Sequence, residues 1–100
     1  MSKPIKLFIT KSKKKIKNDL LNENKEYILS FGDNRYQDYT QHHDFERKQR
    51  YIARHSGENW TKHNVLSAAV MSRFLLWNLP SLKNSIKDTN ERFNIKITLI

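Results

Sequence analysis

The chain contains no cysteine, and only two glycines and two prolines among its 100 residues. Without thiols there can be no disulfide, and any zinc site would fall to histidine and carboxylate ligands alone. The absence also fits a reducing compartment. With only Gly32 and Gly57 available, no glycine-rich loop can cradle nucleotide phosphates, which excludes P-loop hydrolysis, and no nucleophile elbow is spelled. Long apolar runs are missing as well. Val65–Trp77 spans 13 residues and is broken by Ser67, Ser72 and Arg73, where a membrane-spanning helix needs about 20. Met1-Ser2-Lys3-Pro4 is followed by no apolar stretch of the kind a signal peptide requires. A soluble protein that stays inside a cell or is assembled there is expected.

Negative charge is scarce too. Ten Asp and Glu face nineteen Lys and Arg, a formal net charge of +9. An excess of that size opposes compaction and favours encounter with polyanions. One hundred residues suit one domain, residues 1–100, long enough to bury a core without covalent staples.

The hydrophobic pattern predicts an α+β fold, with a small antiparallel sheet of N-terminal strands plus a C-terminal strand packed against three helices. Ile5, Leu7 and Ile9 alternate with Lys6, Phe8 and Thr10 as in a strand. A second strand is expected around Lys15–Leu21, then a turn at Asn22-Glu23-Asn24, then a third strand through Tyr27, Leu29 and Phe31. Asp44 can cap a helix that reaches about His55, and Ser56-Gly57 ends it. Asn64 to Asn78, apolar on nearly every side, reads as one central helix stopped by Pro80. Ser81 caps a further helix through Phe93, decorated at i,i+4 by Lys87–Glu91 and Asp88–Arg92, and Ile95, Ile97 and Leu99 form a last strand.

Two segments could meet an anion. Lys11, Lys13, Lys14, Lys15 and Lys17 crowd one turn region, where flexible ammonium groups suit phosphates; the same lysines could simply guard a sheet edge. On the helix after Asp44, Arg47, Arg50, Tyr51 and Arg54 share one face, with Lys48 beside them. Guanidinium groups at that spacing can fork onto phosphates while the ring stacks on a base. At least one of these arginines is expected to pair internally with Asp33, Asp38, Asp44 or Glu46. Arg73, on the central helix, is spaced i,i+4 from Trp77 for cation–π stacking, and is expected either to sit at that helix's only open edge or to meet an acidic partner such as Asp38 or Asp44. His42, His43, His55 and His63 show no i,i+3 or i,i+4 pair, so no metal site is expected. No catalytic residue and no cofactor is expected; a metal-dependent nuclease would need carboxylates such as Asp38 and Asp44.

Several stretches together resemble an uncharacterised family of small basic proteins encoded by giant viruses of the nucleocytoplasmic large DNA virus group. These are Phe31-Gly32, Tyr36-x-Asp38-Tyr39-Thr40-x-His42, Arg47-Lys48-x-Arg50-Tyr51-Ile52-x-Arg54-His55, Glu58-Asn59-Trp60, Ser72-Arg73-x-Leu75-Leu76-Trp77-Asn78-x-Pro80-Ser81-Leu82 and Ser85-Ile86-Lys87-Asp88. The resemblance covers about residues 26–97 and leaves the lysine run outside. It implies a viral origin, the host cytoplasm or virus factory as location, and the virion as a candidate destination. Phe45 departs from the pattern, since relatives often carry Pro there. The functional expectation is a non-enzymatic nucleic-acid-binding accessory protein, DNA ahead of RNA, that contacts phosphates without sequence specificity and serves genome condensation or packaging. The alternative is a structural or virion protein docking on an acidic protein, with Tyr36, Tyr39 and Trp60 as exposed aromatics. No membrane partner is expected, and the oligomeric state stays open.

Overall fold

The computed structural model describes residues 4–100, so Met1, Ser2 and Lys3, on which part of the leader reading rests, lie outside it. Its strands are β1 (Ile5–Lys11), β2 (Ile16–Leu21), β3 (Tyr27–Asp33) and β4 (Ile95–Leu99). Between β3 and β4 the chain forms α1 (Tyr39–His42), α2 (Phe45–Arg54), a 3-10 turn at Lys62–Asn64, α3 (Ala68–Met71) with a π-helical continuation Ser72–Leu76, and α4 (Leu82–Phe93). Among the described residues no helix is long and apolar enough to cross a membrane.

The α+β class holds, with the C-terminal strand returning to the N-terminal sheet. Strand order is β3-β2-β1-β4. The first three strands form an antiparallel meander, as the short polar turns dictate. The fourth differs from expectation: β4 runs parallel to β1, pairing Ile5 with Ile95 and Ile9 with Leu99, so the sheet is mixed. Two strands that run the same way cannot be joined by a hairpin and need a long crossover. Here every helix among the described residues lies between β1 and β4 in sequence.

The core joins Leu7, Ile9, Leu20, Phe31, Ile95 and Ile97 of the sheet to Val70, Met71, Phe74, Leu75, Leu76 and Phe93. Burying each such side chain contributes about 1.5–3 kcal/mol before the entropy of ordering it. The predicted helix from Asn64 to Asn78 is divided. Asn64 donates to the Asn59 carbonyl and to Ser67 Oγ, and Ser67 Oγ accepts the Val70 amide, so the α-helix starts only at Ala68. Past Met71 the helix widens, and the Trp77 amide reaches back to the Ser72 carbonyl. The buried Thr89 hydroxyl, shared between two acceptors, lies 2.9 Å from the Phe74 carbonyl and ties α4 to this segment. Ser81 caps α4 as expected, and Asp88–Arg92 pairs at 3.3 Å. Lys87 and Glu91 form no salt bridge among the described residues.

Gly32 is the one position where the backbone demands glycine. Its φ is +87°, and a Cβ there would stand 2.8 Å from Leu76 Cδ1 and 3.0 Å from Lys17 Cβ. Only a hydrogen lets β3 and the π-helical segment approach so closely.

Candidate functional site

The local sequence sets the frame of α2. Asp44 Oδ1 accepts the amides of Glu46 and Arg47, and the Asp44 amide donates to His42 Nδ1. Asp38 caps α1 in a reciprocal box with Gln41. From this frame α2 turns Arg47, Arg50 and Arg54 into one cleft of about 600 Å³. The facing wall is the segment from Gly32 to Asp38, including Tyr36, and Leu76, Trp77 and Tyr51 form the base.

Two carboxylates line this cleft, and both are already neutralised. Lys17 Nζ lies 2.6 Å from Asp38 Oδ2 and 2.6 Å from Gln41 Oε1, in a pair whose side chains are 13% and 3% exposed. Asp38 also accepts the Thr40 amide and hydroxyl. Arg35 grips Asp33 through Nε and Nη2, and those hydrogen bonds hold the Asp33 carboxyl down at about 2. Among the described residues none of Arg47, Arg50 and Arg54 takes part in a salt bridge. The expectation that one of them would pair internally is thus corrected: Asp38 takes Lys17, Asp33 takes Arg35, and Asp44 serves its helix. Among the described residues no three His, Cys, Asp or Glu side chains cluster.

Tyr51 does not stand among the arginines as a free ring. It is 8% exposed and lies flat between Trp77, with centroids 4.4 Å apart and planes at 3°, and His55 at 4.2 Å. Burial, helped by the nearby Glu58 charge, pushes its phenol up to about 12. Its position at i+4 from Arg47 puts it on the arginine face, but that face borders Trp77, and the ring turns inward to cover it. The stack supports the cleft from below.

The remaining predicted residues divide. Lys14 and Lys15 line a shallower groove with Arg35, and that groove shares Gly32 and Asp33 with the arginine cleft. The two basic segments therefore adjoin. Lys11 and Lys13 are exposed and line neither concavity, and Lys17 is occupied by Asp38. Lys48 lies away from the cleft over the rings of Tyr39 and Phe45, at 5.2 and 5.8 Å. Arg73 is half-buried over Trp60 and Phe74, at 5.5 and 5.0 Å, and donates to the Trp77 carbonyl at 2.9 Å, replacing both the ring and the acidic partners expected for it. Of the three aromatics expected on the surface, only Tyr36 is exposed, at 62%; Tyr39 is buried and Trp60 half-buried. The Gly32–Asp38 wall escaped the sequence reading because no local pattern reveals which loop a helix will face.

Residues 8–55 match the model of DUF5754, a family of unknown function. The matched stretch runs from β1 through α2 and so carries the lysine turn and both walls of the cleft, but not its base at Leu76 and Trp77. No curated protein and no solved structure matches the chain.

Proposed function

We propose that this protein binds nucleic acid through its phosphates, with the arginine cleft as the principal contact and Lys14 and Lys15 extending it. One observation carries the reading: Arg47, Arg50 and Arg54 line a single cleft in which every carboxylate already has another cation. Guanidinium groups left without counter-ions are matched in geometry and charge to phosphate oxygens. Contacts to phosphates carry no sequence information, so binding through them is largely independent of sequence. In the setting that the giant-virus resemblance implies, such a protein would serve condensation or packaging in the host cytoplasm or virus factory. The docking of an acidic protein is less well supported, because two of its three aromatics are not exposed.

Salt tests the reading. Three arginines and two lysines amount to about five phosphate contacts, which give a log–log slope of binding against salt of about −3 to −5. Replacing Arg47, Arg50 and Arg54 together by Ala should weaken binding to every sequence and flatten that slope by about 2 to 3, with the circular dichroism spectrum unchanged. A flat slope in the wild-type protein, or binding indifferent to the triple substitution, would refute the cleft as the contact.

A further inference from the structure

The arginines line a concavity, not a ridge, and this limits what can reach them. In a duplex the phosphates lie on a convex outer surface and the bases are locked in the stack. A cleft between α2 and the Gly32–Asp38 segment can engulf a phosphate only from a strand free to leave that surface. Its volume of about 600 Å³ falls within the roughly 300–1,000 Å³ of sites that enclose small organic ligands. A single nucleotide is an object of that class.

Tyr36 supplies what a base would need. Its ring lines the same cleft and is 62% exposed, and the Arg35 guanidinium holds one face at 5.6 Å from the centroid. Arg35 is itself fixed by Asp33, so the ring stands on a braced support. Next to it the Lys14–Lys15 groove continues from the shared residues Gly32 and Asp33, a path for the neighbouring phosphates. A basic groove interrupted by an open aromatic face is the arrangement by which single strands are held without reading their sequence.

We propose that the cleft receives an unpaired nucleotide of a single strand, its phosphate on Arg47, Arg50 and Arg54 and its base on Tyr36. This rests on the nucleic-acid reading above and narrows it to single-stranded DNA or RNA.

The test compares labelled single strands of DNA and RNA with the blunt duplex of the same sequence, by fluorescence anisotropy at one salt concentration, for the wild type, Tyr36→Ala and Tyr36→Phe. At least one single strand should bind about tenfold or more tightly than the duplex. Tyr36→Ala should weaken that strand by about five- to a hundred-and-fiftyfold, the usual effect of losing one base–aromatic stack, and leave the duplex unchanged. Tyr36→Phe, which keeps the ring, should bind as the wild type does. Equal affinity for strand and duplex, or indifference to Tyr36→Ala, overturns the single-strand proposal and leaves nucleic-acid binding standing. No binding of any of the three overturns both. Tighter binding of a phosphoserine peptide than of any strand overturns the choice of ligand. Because Tyr36 is exposed, the variants should keep the wild-type thermal midpoint, which verifies that the readout is binding and not unfolding.

Discussion

Tyr51 shows how one buried phenol ties stability to pH. Its ionisation is pushed up to about 12 in the folded chain, against about 10 for an ordinary tyrosine. Both states are neutral below pH 10 and no stability is lost there. Between the two values the unfolded chain ionises first, so stability drains as pH rises from 10 to 12. The full difference corresponds to about 2–3 kcal/mol. Urea unfolding at pH 9, 10.5 and 12 should show this loss in the wild type, and Tyr51→Phe should show less of it, the difference isolating the phenol from lysines that titrate in the same range. His42 acts at the other end. Its burial, with Arg47 nearby, lowers its pKa, in keeping with Nδ1 accepting the Asp44 amide.

Asp38 performs several tasks at once at the level of elements: it caps α1 and, through Lys17, ties that helix to β2. Removing one partner of a buried ion pair leaves the other charge without compensation, at a cost of about 3–5 kcal/mol. Asp38→Ala should therefore destabilise by that much in chemical denaturation, whereas Asp33→Ala, which releases a pair at the surface, should change stability little. The elements themselves were largely readable. Alternation around Leu7, Phe31 and Ile97 located three strands, and Asp44 and Ser81 marked two helix starts, because both signals are local. Alternation tells which side chains share a face and says nothing of which way a strand runs, so the parallel sense of β4 was hidden. The late start of α3 was hidden for a related reason. Ser67 lies inside an apolar run, and its role as a cap appears only once Asn64 holds it from outside the helix.

At the scale of the whole molecule the arginine cleft gathers three guanidinium groups that form no salt bridge among the described residues. Part of it was legible, since the i, i+3 and i+7 spacing put Arg47, Arg50 and Arg54 on one face. Its concavity was not, because the opposite wall comes from the end of β3 and the turn after it, and Leu76 and Trp77 of the base from a segment some twenty residues after α2. Such a cleft should be stabilised by any multivalent anion that enters it. At sulfate about tenfold above its dissociation constant the gain is about 1.4 kcal/mol, or several degrees in thermal midpoint for a chain this size. The triple arginine-to-alanine variant should lose that increment relative to the wild type and keep only the general salting effect of sulfate. The parallel pairing of β1 with β4 bears on a different matter, the order in which the chain assembles. Ile5 and Ile95 are partners across ninety positions of sequence, while the meander needs only its neighbours. Closing a loop of that span costs more entropy than closing either hairpin of the meander, so β4 should add to the sheet after β1, β2 and β3 have paired. Until it happens, β1 offers a bare hydrogen-bonding rim on which a second unfinished molecule can dock. Crowded refolding is where that delay would be felt.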